Sequence, residues 1–129
     1  MRKFIIIALF VFVVSVIVNA SLPTGIESGF RSGDAQAVAK YFDPTLEMSI
    51  SGKRSMYSKT QATQVLREFF NANQPSNLKE KHSGGKGNSQ FSVFTFTSGN
   101  GKYRATVFYK GTGDSSRISQ IKIEKDTGF

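Results

Sequence analysis

Between Gln90 and Tyr109 apolar and polar side chains alternate on either side of Ser98-Gly99-Asn100-Gly101. Period-two alternation interrupted by turn residues predicts a β-hairpin. Asn100-Gly101 is the expected turn, because a type I′ turn needs positive φ at both central residues and Asn-Gly tolerates it. In that register Phe96 faces Ala105, Phe94 faces Val107 and Ser92 faces Tyr109. A turn at Gly99-Asn100 shifts the pairing by two and leaves the faces unchanged. One face carries Phe94, Phe96, Tyr103, Ala105, Val107 and Tyr109 and is the core candidate. The other carries Thr95, Thr97, Arg104, Thr106 and Lys110, with Phe91, Val93 and Phe108 among them and Val93 opposite Phe108. A one-residue slip would expose the whole core face.

The remaining periodicities give helices first. Leu22 to Ser32 reads as a short helix with Ile26 and Phe30 one turn apart, ended by Gly33. Asp34 is placed as the N-cap of a second helix, Ala35 to Phe42, which Asp43-Pro44 stops. Thr45 to Ser51 alternates, with Leu46, Met48 and Ile50 inward, and Ser51-Gly52-Lys53 turns it into a return strand, Arg54 to Tyr57. Ser58-Lys59-Thr60-Gln61 has the form of a capping box, opening a long helix to about Ala72 with Ala62, Val65, Leu66 and Phe69 as its apolar stripe. Asn77 to His82 fits a charged edge strand, Ser83-Gly84-Gly85-Lys86-Gly87 a flexible turn, and Ile118 to Lys125 a last strand with Ile121 and Ile123 on one face.

The N-terminus changes the picture of where this domain works. Met1-Arg2-Lys3, the apolar run Phe4–Val18 and the small residues up to Ala20 have the form of a signal peptide cut after Ala20. The run of about 15 residues spans roughly 22 Å as a helix, short of the roughly 30 Å hydrocarbon core. The expected mature protein is one domain, residues 21–129, periplasmic or secreted, meeting the membrane through the leader alone. The chain has no Cys, which excludes disulfides, thiolate chemistry and cysteine metal sites. A domain of this size without such staples needs a real apolar core, and the Phe residues after the leader, nine of the 12 in the chain, can supply it. Net charge is +8, lowered by two when Arg2 and Lys3 leave. Export argues against a nucleic-acid partner, and the basic residues read either as a solvated surface or as attraction for an anionic one.

The order helix, helix, two strands, long helix, four strands is that of an α+β domain. That order, with Gly33-Asp34-Ala35 and Tyr41-Phe42-Asp43-Pro44 before the first strand, resembles the nuclear transport factor 2-like superfamily. The resemblance implies a cone: three helices packed on a strongly bent antiparallel sheet of about five to six strands, around an internal pocket. The leader, the length and the run from Phe42 to Ser51 resemble an exported bacterial family, domain of unknown function 4783.

Enzymes of that superfamily place an acid or base inside the cone. The candidates here are few. His82 is the one histidine and sits in a Lys-rich stretch, Asp43 precedes a proline, and Glu47 alternates outward. The Gly84–Lys86 run lacks the Gly-Lys-Ser/Thr ending of a phosphate-binding loop. No His pair or carboxylate cluster stands at metal spacing, and no cofactor motif is present. The expectation is a non-catalytic small-ligand-binding or protein-interaction module. The alternative is a small pocket enzyme of the isomerase or dehydratase type using Asp43 or a Tyr. Tyr57, Phe69, Phe94, Phe96, Tyr103 and Tyr109 are the pocket candidates for a small apolar or aromatic ligand, against the reading that they fill the cone as core. Phe91, Val93 and Phe108 are the candidates for a homodimer through the outer sheet face.

Overall fold

The computed structural model describes residues 22–127. The expected leader lies outside them. Among the described residues no helix is long and apolar enough to cross a membrane.

Helix α1 spans Thr24–Ser32 and ends at Gly33, whose φ of 67° supplies a left-handed cap. Gly29 of α1 lets α2 (Ala35–Ala39) come close: a Cβ there would lie 2.6 Å from the Val38 side chain. Asp34 caps α2, its carboxylate accepting from the Ala37 N–H. The second helix is shorter than its apolar residues predict. Phe42 opens strand β1 (Phe42–Ile50) instead, because Tyr41 and Phe42 take backbone partners in the last strand: the Ile118 N–H donates to the Tyr41 carbonyl and Phe42 pairs with Ile118. Pro44, which pushes Asp43 toward extended geometry, therefore sits inside a strand and is no helix stop.

β1 turns at Ser51-Gly52, both with positive φ (51° and 84°), into β2 (Lys53–Ser58). That is the two-residue turn whose twist suits a hairpin. Ser58 then caps α3 (Lys59–Ala72) in a full capping box with Gln61. β3 (Ser76–Lys86), β4 (Ser89–Ser98) and β5 (Gly101–Lys110) follow as a meander, and β6 (Arg117–Lys125) closes the sequence of elements. The glycine-rich stretch expected as a loop is strand: Ser83 to Lys86 pair with Ser92 to Ser89, and the chain turns at Gly87-Asn88. Gly84 is tolerated in the strand because the Phe91 ring lies over it, where a Cβ would come to 3.1 Å.

The sheet order is β2-β1-β6-β5-β4-β3. Neighbours are antiparallel except β1 and β6, which run parallel, so the expected antiparallel sheet is mixed at one junction. The α+β cone stands: three helices on one side of a curved, unclosed six-stranded sheet. The β4–β5 pairing takes the register shifted by two from an Asn100-Gly101 turn, with Phe96 opposite Tyr103, Phe94 opposite Ala105 and Phe91 opposite Phe108. Asn100 keeps a negative φ, and Gly101 at 127° carries the positive angle beyond it. The displaced turn leaves the Asn100 side chain free to donate to the Ala72 carbonyl (3.1 Å) and to Asn73 Oδ1 (2.9 Å) at the end of α3. Val93 consequently faces Thr106 and not Phe108.

Even residues of β4 and odd residues of β5 face the helices. Phe94, Phe96, Tyr103, Ala105, Val107 and Tyr109 are all buried, and so are Ile118, Ile121 and Ile123 beside them. The helical side contributes Ile26 and Phe30 from α1, Val38 from α2 and Leu66, Phe69 and Phe70 from α3. Phe30 meets Phe94 at 4.8 Å and Phe70 at 5.7 Å between centroids, both edge to face. Truncation of a fully buried Phe costs about 3–5 kcal/mol. Phe30→Ala is therefore expected to lower the unfolding free energy by that amount, read as a lower urea midpoint at unchanged slope, whereas Ser58→Ala, which removes an exposed cap, should cost about 1 kcal/mol.

Candidate functional site

A groove of about 350 Å³ opens where α3 crosses the β1–β2 hairpin. Its walls follow from the periodicities of the two elements. Met48 and Ile50 are on the inward face of β1, and Lys53 and Tyr57 are their same-face neighbours on β2, through the pairs Ile50–Lys53 and Leu46–Tyr57. From α3, Val65, Glu68 and Phe69 lie one turn apart and complete the lining. Met48 and Phe69 are buried, Ile50, Tyr57 and Val65 half-buried, and Lys53 and Glu68 exposed at the rim. The site is an apolar slot with one charge of each sign at its edge.

The sequence candidates separate by depth. Tyr57 and Phe69 line this groove. Phe96 and Tyr103 stack beneath Phe69, at 5.6 Å from each other and 6.2 and 5.4 Å from the Phe69 ring. The Tyr103 hydroxyl donates to Asn73 Oδ1 at 3.0 Å, so its polar end is anchored to the end of α3. Phe94 lies on the far side of the interior, where the space between Leu22, Glu27, Leu78, Glu80, Ser92 and Phe94 amounts to about 10 Å³, room for a single water. Lys53 and Glu68 were missed in sequence. Lys53 was legible from pairing across a two-residue turn, and Glu68 from its i+3 step after Val65.

The outer sheet face carries the other three candidates. Phe91 and Phe108 are cross-strand partners with rings 6.3 Å apart, and Val93 is half-buried beside them. His82 stands over Phe91 at 5.4 Å on the edge strand. The same row of paired residues runs through Gln120 and Glu47 to Met56, which is 63% exposed.

Comparison with known proteins bears on this arrangement. A family model described as Domain of unknown function (DUF4783) matches residues 23–124. The chain belongs to the DUF4783 family. Crystal structures of DUF4783 proteins from Bacteroides ovatus and Bacteroides fragilis are 29% and 27% identical to it, with TM-scores of 0.77 and 0.75. Each covers 82% of this chain, and the matches span 96% and 100% of those chains. A protein designated Rd1NTF2_04 with long sheet shares the fold at 17% identity and a TM-score of 0.60, over 77% of this chain and 92% of its own. None of the curated proteins matches.

Titratable groups of this DUF4783 protein are sparse toward the interior. Asp43 is half-buried on β1 and His82 is exposed on β3. Among the described residues no group of three His, Cys, Asp or Glu is placed to hold a metal ion. On the inner face Ser92, fully buried, donates to Glu80 Oε1 at 2.9 Å. Tyr109 lies near them, and burial, with the Glu80 carboxylate as the smaller cause, pushes its phenol above the usual value. The fold thus favours the neutral phenol. Its contribution to stability is complete below about pH 10, where tyrosine ionises in the unfolded chain, and is lost as pH rises through the folded value. Urea midpoints measured from pH 8 to 11.5 should fall more steeply above pH 10 for the parent protein than for Tyr109→Phe.

Proposed function

We propose that this protein is an exported, non-catalytic module that binds a small apolar or aromatic ligand in the groove between α3 and the β1–β2 hairpin. The observation that carries the reading is the groove's make-up: a volume of about 350 Å³, a floor of Met48 and Phe69, flanks of Ile50, Tyr57 and Val65, and Lys53 and Glu68 at the mouth. Ligand pockets begin at about 300 Å³ and combine apolar walls with a few polar groups that fix orientation. The two rim charges are exposed and suit the polar end of a ligand. Acid–base chemistry calls for a group held out of water with a perturbed proton affinity. The deeper aromatics Phe94, Phe96, Tyr103 and Tyr109 support the groove from below. In the exported setting proposed here the leader leaves near Ala20 and no nucleic acid is met.

Isothermal titration with aromatic acids and amines of one or two rings tests this. Saturable binding by at least one class, lost in Val65→Glu and weakened about tenfold or more in Tyr57→Ala, is the expected result. Absence of any shift of groove resonances at millimolar probe would remove the reading. Turnover of a probe would favour the pocket-enzyme alternative.

A second reading rests on a different observation, the exposed row of Met56 (63%) and Phe108 (37%) on the outer sheet face. We propose that this face, with Phe91 and Val93, forms a homodimer. Arg104, Lys110 and Lys122 share the face and repel their copies across a two-fold axis. Light scattering should therefore show dimer growing with added salt, and monomer for Phe108→Glu. Monomer throughout, at high protein and high salt, would overturn it.

A further inference from the structure

A groove of about 580 Å³ opens between α2 and α3, on the other flank of α3 from the Tyr57 groove. Its charged lining is Lys40, Lys59 and Arg67. Among the described residues no carboxylate lies within ion-pair distance of any of the three. Lys102 and Arg104, by contrast, share Asp126, and Arg54 pairs with Glu47.

Arg67 is held by neutral groups. Its Nη2 donates to Gln36 Oε1 at 2.9 Å and its Nη1 to Gln64 Oε1 at 3.0 Å. These bonds orient the guanidinium without neutralising it. They also engage the amide oxygens, one bond to each. The third glutamine of the lining, Gln61, has its Oε1 taken by the Ser58 N–H at 3.1 Å. Each assignment is forced, because a guanidinium and a backbone N–H only donate. What Gln36 and Gln61 leave toward the groove is NH₂, joined by the two ammonium groups and the spare N–H groups of Arg67. The lining thus offers donors and positive charge, and each of its three amide oxygens already accepts one bond. A neutral sugar, which must donate as well as accept, is poorly matched. A ligand made of charged oxygens is well matched, because charge-assisted bonds from an oriented fork are the strong ones.

We propose that the α2–α3 groove binds a small polyanion carrying more than one phosphate or sulfate group. Three uncompensated cations spread along a groove larger than a single tetrahedral oxyanion fills require more than one such group. Arg67 holds one group in fixed orientation, while Lys40 and Lys59 act as mobile point charges on the others. The site is independent of the apolar groove and of the sheet face.

The test uses the purified protein, ¹⁵N-labelled, titrated at constant ionic strength with inorganic tripolyphosphate, sucrose octasulfate and inorganic phosphate. Saturable shifts confined to the Gln36 and Gln61 side-chain amides and the first turns of α3 are expected with tripolyphosphate, octasulfate or both. The probe that binds identifies the phosphate or sulfate source, and inorganic phosphate should bind at least about tenfold more weakly than the better polyanion. Arg67→Gln should lower the affinity about tenfold or more. Arg67→Lys should recover only part, since the charge returns without the fork. Arg67 is exposed, so circular dichroism melts should show both variants folded, and Lys40→Gln supplies an independent loss. The double variant Lys79→Gln/Lys81→Gln on the distant edge strand should bind as the parent does. Shifts that never saturate, or equal losses from the edge-strand variant, would mean a diffuse basic surface and overturn the proposal.

Discussion

Three aromatic rings hold the layers of this domain together. Phe30 comes from α1, Phe70 from α3 and Phe94 from the centre of β4, and Phe30 touches both others edge to face. All three are fully buried. Without that junction α1 has little reason to lie where it does: it is nine residues long, too short to persist alone in water. Its place is set by the sheet, which offers Phe94 at a position where period-two alternation turns every second side chain inward. Gly29 then lets α2 pack close, and α2 delivers the chain to β1. One register in one hairpin therefore propagates into the position of two helices.

The second tie is polar. Asn73, buried at the end of α3, accepts from both the Tyr103 hydroxyl and the Asn100 amide, and donates to the Phe69 carbonyl. A buried amide left without partners would cost about 1–3 kcal/mol, so the three bonds are mutually dependent. They fasten the tip of the β4–β5 hairpin to the helix end. They also explain why the turn sits at Gly99-Asn100, although Asn100-Gly101 has the stronger local preference: in the observed register Asn100 is the residue that reaches α3. Local turn chemistry named the right residues and the wrong pair among them, because a tertiary hydrogen bond decided between registers two residues apart.

The same kind of competition marks what the chain disclosed and what it withheld. The inward faces of β1, β4, β5 and β6, the capping box at Ser58 and the stop after α1 were all legible, since each rests on neighbours a few residues apart. The end of α2 was not: Phe42 continues a helical apolar spacing, but its backbone is claimed by Ile118, far along the chain. Nor was the strand character of Ser83–Lys86, whose glycines are sheltered by the Phe91 ring from the next strand. The parallel junction of β1 with β6 leaves no mark in either strand's alternation, because alternation reports faces and not direction. Of the six aromatics grouped as a pocket, Tyr57 and Phe69 line the groove beside the β1–β2 hairpin, Phe96 borders a smaller opening near β3, and Phe94, Tyr103 and Tyr109 are core. Side-chain pattern tells which residues face inward but not how completely their volumes fill the interior.

Helix α3 is where these threads meet. Its buried stripe, Ala62, Leu66, Phe69 and Phe70, is the part the core requires. The flanking positions are free of that demand, and they differ in character on the two sides. Val65 and Glu68 border the slot toward the β1–β2 hairpin, whereas Lys59, Gln64 and Arg67 border the groove toward α2. A helix advances 100° per residue, so Arg67 and Glu68 flank Gln64, about 60° to one side and about 40° to the other. The Gln64 amide bridges the two, with its oxygen on Arg67 and its nitrogen 3.4 Å from Glu68. The Glu68 carboxylate lines the apolar slot, and the Gln64 amide lies between it and the guanidinium. Placing a glutamine between them keeps both openings chemically distinct on a helix only 14 residues long.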